Sequence, residues 1–388
     1  LDLRYDGRVE GGARQWLARF FFGKDENNWV YPMASNPDGW DDGSTATNTT
    51  DQQGAQAQIS DSYGPATLTA GLDWVKYEVE NTWAPEATEY ANPAVFLLGK
   101  GEFLDERLIV TAGLRQDWYS VEVTRPAGRE EDENNLAPSV GLAWMLSDAL
   151  KMRTRYAEGF VMPSADQLAA DYWNWGIRTV GNPELKPEKS KTVDGGVDYV
   201  AGGLSGSLTL FTTDFEDKIT NYILADGSSS WLNQGSATLS GLEAEVSYDL
   251  GVPLDLAWEV RPYLNLTLLT EYEDNATGED LLYISATNYA AGLAVSDGDR
   301  WSGRLNVAYT GSQSVEEWAS MVYPVPVVTL DSFVVADLVV SYQFLESEQY
   351  GKWSLRGEVR NLLDEDYGYV LGNPMPGRSA FAGLRWEF

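Results

Sequence analysis

The sequence predicts an all-β protein, a transmembrane antiparallel β-barrel. Three observations carry that reading: apolar side chains recur at every second position, charged residues lie on the opposite face of the same segments, and short and long connections alternate along the chain. The composition agrees. Aromatic residues make up 12% of the chain, with 15 Trp and 21 Tyr, and 37 glycines supply tight turns. Such usage fits strands and aromatic belts better than a helical enzyme. No apolar run is long enough for a transmembrane helix.

Alternation is plainest in three segments. Trp301, Gly303, Leu305, Val307 and Tyr309 are interleaved with Ser302, Arg304, Asn306 and Ala308. Val334, Ala336, Leu338, Val340, Tyr342 and Phe344 are interleaved with Val335, Asp337, Val339, Ser341 and Gln343. In the tail, Ala380, Ala382, Leu384, Trp386 and Phe388 share one face, and Phe381, Gly383, Arg385 and Glu387 the other. A water-soluble sandwich alternates too, so the charges decide. Glu243 and Glu245 sit between Leu242, Ala244 and Val246, and Arg153 and Arg155 between Met152, Thr154 and Tyr156. A wet lumen tolerates such charges and a dry core does not. Arg153, Arg155, Arg304 and Arg385 are therefore expected to point inward.

Short connections are expected at 10–13, 63–66, 104–107, 146–150, 201–204, 250–255, 297–300 and 346–352. Long ones are expected at 23–51, 80–92, 122–136, 160–189, 217–236, 270–288, 310–333 and 364–378. Tight periplasmic turns alternating with long outer loops are the bacterial barrel pattern. The count is about seventeen strands, whereas single-chain bacterial barrels close with an even number. An odd number of strands is thus expected ahead of Leu1, with the C-terminus on the periplasmic side. The opening LDLRYDGRVE has no basic region followed by an apolar stretch and so is not a signal peptide, which also suggests that the front is missing.

Several chemistries are disfavoured. With no Cys there is no disulfide or thiolate site, and with no His the commonest general base and transition-metal ligand are gone. A Ser-His-Asp triad is impossible, and His-ligated haem or zinc is not expected. No enzyme activity and no cofactor are expected. A formal charge of −32 argues against nucleic acid. It reads first as solvated loops.

Four segments resemble TonB-dependent outer-membrane receptors. YAEGFVMPSADQL at 156–168 is similar to a strand-end pattern of that family, with Val161 and Met162 where an Arg-Ala pair is usual. GNPELKPEKS at 181–190 matches the family's Gly-Asn-Pro-x-Leu-x-Pro-Glu segment and is the most specific. LNQGSATLSGLEAEVSY at 232–248 and EVRNLLDEDYGYVLGNPMPGRSAFAGLRWEF at 358–388 follow. The resemblance implies a twenty-two-stranded barrel of which this chain, 1–388, is the C-terminal part, beginning near the sixth strand and without the plug domain. It also implies location in the outer membrane within the lipid bilayer, energising by TonB through the missing N-terminal part, and recognition of the terminal strand ending at Phe388 by the barrel-assembly machinery. Pro183 and Pro187 hold the second segment extended, which points to shaping a loop more than to touching a ligand.

The loop at 160–189 carries Tyr172, Trp173, Trp175 and Arg178 close together. Rings beside a cation can grip a flat ligand, or they can form an aromatic girdle at the lipid boundary. Both readings stand at this point. Trp231 and Trp40 are further candidates for the walls of the same cavity. Asp38, Asp41 and Asp42, and Glu130, Glu131, Asp132 and Glu133, are acidic runs without the EF-hand spacing, so solvated charge is favoured over Ca²⁺.

The expected function is high-affinity uptake of a scarce small-molecule ligand, with a ferric siderophore first and a corrinoid such as vitamin B12 next. The candidate ligand-binding set is Tyr172, Trp173, Trp175, Arg178, Trp231, Arg153, Arg155 and Arg304, with no catalytic or metal-binding residue. A passive porin-type channel is the alternative, separable by saturable binding against ohmic conductance. A barrel protease or lipase is a third reading, disfavoured by the missing His and testable by a hydrolytic assay.

Overall fold

Strands form where the period-two pattern runs, and they outrun it. The computed structural model describes residues 1–9, 14–31, 43–125, 129–174, 177–318, 322 and 325–387. The first strands are β1 (Asp2–Arg8), β2 (Gln15–Val30), β3 (Thr45–Tyr63), β4 (Ala66–Asn81), β5 (Ala87–Phe103), β6 (Leu108–Arg125), β7 (Arg129–Met145) and β8 (Leu150–Val161). A one-turn helix α1 (Ala165–Ala169) and the short strands β9 (Asp171–Asn174) and β10 (Ile177–Val180) follow. Next come β11 (Glu188–Ala201), β12 (Leu204–Ile223), β13 (Ser229–Tyr248), helix α2 (Gly251–Leu254) and β14 (Glu259–Asp274). The chain then forms β15 (Glu279–Asp280), β16 (Thr287–Ser296), β17 (Trp301–Thr310), β18 (Gln313–Glu316) and β19 (Val327–Leu330). It ends with β20 (Phe333–Ser347), β21 (Gly351–Arg360) and β22 (Ser379–Glu387).

Five of these, β9, β10, β15, β18 and β19, have four residues or fewer and sit in long connections, which leaves seventeen long strands among the described residues. That agrees with the number read from alternation. Twenty of the strands belong to one sheet, paired antiparallel almost throughout, and no described helix is long and apolar enough to cross a membrane. Along the chain β1 pairs with β2, and β22 with β21.

Four of the expected long loops are largely strand, among them 217–236, where β12 runs to Ile223 and β13 starts at Ser229. β2 runs on to Val30 and β3 starts at Thr45, β4 runs to Asn81 and β5 starts at Ala87, and β6 runs to Arg125 and β7 starts at Arg129. The extension of β3, TATNTTD, is largely polar on both faces and rich in β-branched Thr. The apolar signal stops where lipid would stop. The hydrogen-bonded ladder needs no lipid, and Lys24 to Val30 pair residue by residue with Asp51 to Thr45. Another difference is at 250–255, where α2 forms in place of a simple turn, with Asp255 left-handed at φ 49°. The expected turn at 10–13, the acidic run at 38–42 with Trp40, and the terminal Phe388 lie outside the described residues.

The chain packs as two compact units, one of Leu1–Ala143, Arg155–Thr192 and Asp214–Ala237, the other of Trp144–Thr154, Val193–Thr213 and Thr238–Phe388. In the second unit the register aligns the two faces across successive strands. Leu293, Leu305, Leu338, Val359 and Ala380 fall in one row of neighbours, as do Trp301, Tyr342, Leu355 and Leu384. The alternate face carries Asn306 beside Asp337 and Ser354 beside Arg385. Aromatic pairs close both ends of the apolar band. Tyr289 and Tyr309 stack at 4.7 Å, while Trp301 and Tyr342 stack at 4.3 Å and Trp353 and Trp386 at 5.6 Å. From Trp301 to Tyr309 is about 27 Å along the strand at about 3.4 Å per residue, close to the height of a membrane-barrel apolar band.

In the first unit Leu3, Phe20, Ala55, Trp74 and Pro93 form one apolar row across five strands. The opposite face carries Arg4, Arg19, Gln56 and Asp73 in register. Leu72, Leu97 and Leu305 are all substantially exposed to the surroundings of the sheet, which a water-soluble fold would avoid in such rows.

Leu305→Arg should therefore destabilise the barrel by about 2–4 kcal/mol in phospholipid vesicles, the cost of a cation near mid-bilayer. Asn306→Asp, which keeps an oxygen for the Tyr263 hydroxyl that donates to it at 2.7 Å, should cost well under that. Denaturant titration monitored by Trp fluorescence checks the contrast.

Candidate functional site

In the first unit, the long connection after β8 folds into a platform. Ser164 starts α1 with a capping box: its hydroxyl accepts from the Gln167 N–H at 3.2 Å, and its own N–H donates to the Gln167 side chain at 2.9 Å. The Tyr90 hydroxyl on β5 accepts from the Ala165 N–H at 2.7 Å, tying the helix to the sheet. Val121, Val123, Ala165, Leu168, Ala169 and Leu185 form a buried cluster. Leu185 comes from GNPELKPE, so that segment does shape the loop.

The rest of that segment is held by two asparagines. Asn182 donates to the Trp231 carbonyl at 2.9 Å. Asn233 accepts from the Lys186 N–H at 2.7 Å and donates to the Lys186 carbonyl at 2.8 Å, standing in for a neighbouring strand. Gly181 passes so close to α1 that an added Cβ would lie 2.3 Å from the Ala169 backbone nitrogen. Only a glycine fits there.

This platform carries the hairpin of β9 and β10. Trp173 and Arg178 are cross-strand partners on one face, and Tyr172 and buried Thr179 on the other. Trp173 is 71% exposed, while Arg178 holds Asp171 in a bidentate pair at 2.8 Å and 2.8 Å. That pairing raises the Arg178 guanidinium above its ordinary value. On the inner face the Tyr172 hydroxyl bonds the Asp166 carboxylate. Burial pushes both groups up, Asp166 against the lowering effect of that hydrogen bond. The hairpin thus offers an exposed indole beside a charge-balanced pair. Trp231 instead packs, partly buried, against the hydrophobic cluster. Trp175 lies outside the described residues.

In the second unit, a concavity of about 460 Å³ opens on the polar face, lined by Arg153, Thr209, Glu243, Glu245, Asn265 and Asn288 among others. Arg153 and the two glutamates therefore share one face of the sheet. Arg153 donates to Thr209 at 2.6 Å and to Asp198 at 3.3 Å. Arg385 pairs with Glu387 at 2.6 Å. Arg304 has no carboxylate partner among the described residues: its Nε donates to the Tyr263 hydroxyl at 2.9 Å and its guanidinium lies 4.6 Å from the Tyr263 ring centre. The ring in turn covers Gly292, where a Cβ would meet the phenol oxygen at 2.3 Å. Arg155, two residues further along β8, belongs to the first unit.

The arginines' partners were not picked out from the sequence, although a signal exists. Opposite charges two apart on one strand recur at Arg4 and Asp6, Arg115 and Asp117, Arg261 and Glu259, and Arg385 and Glu387, and each forms an ion pair. Among the described residues no group of three or more acidic side chains converges as a metal cage, and Glu130 to Glu133 lie at the start of β7.

A family described as TonB dependent receptor-like, beta-barrel, matches residues 1–362. The siderophore receptor PirA of Acinetobacter baumannii superposes with a TM-score of 0.75 at 20% identity, over 100% of this chain and 62% of its own. The ferric enterobactin receptor PfeA of Pseudomonas aeruginosa, solved with enterobactin, gives 0.77 at 19% identity, over 99% and 61%. The copper transporter OprC gives 0.81 at 17%, over 100% and 67%. At these identities the likeness concerns the fold. The chain spans about three fifths of the length of the first two.

Gly181→Ala should force the hairpin off α1, at about 1–3 kcal/mol of local stability, seen as faster amide exchange across 165–180. Because Asp166 holds its proton more tightly folded than unfolded, the platform's local stability should fall as pH rises from about 3.8 through the raised folded value. Asp166→Asn should remove that slope in the same exchange experiment.

Proposed function

The chain belongs to the TonB-dependent receptor β-barrel family, and from that premise we propose that it forms barrel wall and ligand-capturing loops of an outer-membrane receptor importing a scarce small molecule. The proposed cargo is a ferric siderophore, and transport is energised through TonB. The family is one of receptors and transporters of the outer membrane, not of enzymes. PirA and PfeA, whose names carry siderophores, support the cargo, and OprC extends the neighbours to copper.

The observation that carries this reading is the rigid presentation of Trp173. A loop that only needed to be solvated would not spend a buried cluster, a capping box and two asparagine clamps on holding an indole 71% exposed. An exposed ring on a preorganised support loses little entropy when a flat ligand stacks on it. The Arg178 and Asp171 pair keeps the hairpin nearly neutral, so a negatively charged chelate is not repelled there. Trp175, Tyr172 and Trp231 belong to the same proposed region, Trp231 as support.

On the polar wall, Arg304 supplies free guanidinium nitrogens, because Tyr263 fixes it without neutralising it. Arg153 and Arg155 belong to the proposed path as well, Arg153 with its charge shared by Asp198. In this arrangement the strand β22 ends on the periplasmic side, where the barrel-assembly machinery reads it.

Trp173→Ala should raise the ligand concentration for half-saturation on whole cells about tenfold or more, the cost of losing an aromatic anchor. Arg304→Ala should lower the maximal uptake rate and leave surface binding in place. Radiolabelled ferric chelate measures both. Cells lacking TonB should bind but not accumulate it, and accumulation without TonB would mark a passive channel instead.

A further inference from the structure

A second aromatic cluster lies in the connections of the second unit and plays no part in the reading above. The hairpin of β18 and β19 is anchored by Val315, which is 0% exposed. Alternation then turns Ser314 and Glu316 to the other face, beside exposed Val327, the cross-strand partner of Glu316. From the connection between β15 and β16, Tyr283 reaches this face in a left-handed conformation at φ 63°, its N–H donating to the Ser314 carbonyl at 2.8 Å. A non-glycine residue there carries strain that its surroundings must hold in place.

The carboxylate of Glu316 is held by two aromatic donors. The Tyr283 hydroxyl donates to Oε2 at 3.3 Å and the Trp318 indole N–H donates to the same oxygen at 3.2 Å. The phenol oxygen also accepts from the Glu316 N–H at 3.3 Å. Among the described residues no cation pairs with Glu316, and no described group bonds its Oε1. Both rings remain open, Trp318 at 58% and Tyr283 at 47% exposed.

We propose that Tyr283, Glu316 and Trp318 form a surface site for an organic cation, a quaternary or alkylated ammonium group. A carboxylate held through Oε2 alone among the described residues supplies the counter-charge, and the two open rings supply negative π faces for a poorly hydrated cation. The chain's formal charge of −32 raises the local concentration of cations. A sugar would also stack on these rings, but would leave the negative charge unanswered.

The test uses the full chain in detergent, titrated calorimetrically with choline, with its uncharged isostere dimethylbutanol, and with methyl glucoside. Choline should bind saturably and at least fivefold more tightly than the isostere, and more weakly as salt rises. Glu316→Gln, which keeps the shape and the acceptor for both donors, should weaken choline about tenfold. Trp318→Ala should weaken it as much, and Trp318→Phe less. Equal binding of choline and isostere, preference for the glucoside, unchanged affinity in Glu316→Gln, or no saturable choline binding by chain with unaltered heat-modifiable gel mobility would each overturn the proposal. None of these outcomes bears on TonB-driven uptake, which is measured separately.

Discussion

In hydrocarbon a peptide N–H or C=O has no water to bond, and each one left unpaired costs several kcal/mol. That constraint governs the rest of this protein. It requires long strands with residue-by-residue registers such as those of β2 with β3 and β16 with β17. Once the ladder is satisfied, side chains are free to answer to two solvents. Leu293, Leu305 and Leu338 line up on one face while Asn306 and Asp337 line up on the other. The aromatic pairs at 289 and 309 and at 301 and 342 mark where one solvent gives way to the other.

Beyond the apolar band the same ladder does a different job. The extended ends of β5 and β6 rise into water and provide the base on which α1 and GNPELKPE pack, through Tyr90, Val121 and Val123. The strands and the loop at 160–189 are therefore joined through packed side chains. Trp173 owes its fixed position to a chain of contacts that ends in the sheet.

Much of this was legible in the sequence because period-two alternation is a direct consequence of the pleat. Strand number, the polar face that Arg153 shares with Glu243 and Glu245, and the closeness of Trp173 to Arg178 all follow from residues near one another in the chain. What escaped depends on groups that meet through the fold. The polar extensions of β2 and β3 carry no apolar period, so 23–51 reads as loop. Trp231 reads as a free aromatic because nothing local reveals the cluster it packs against. Tyr283 and Glu316 are separated by many residues and meet only through a left-handed backbone that no sequence pattern announces.

The division of solvents across β17 is the central claim, and spin labels placed singly at positions 302 to 308 in lipid vesicles test it most directly. Labels at 303, 305 and 307 should collide with oxygen, which concentrates in hydrocarbon, and labels at 302, 304, 306 and 308 with a water-soluble nickel chelate. Loss of that two-residue alternation, or its reversal, would contradict the account.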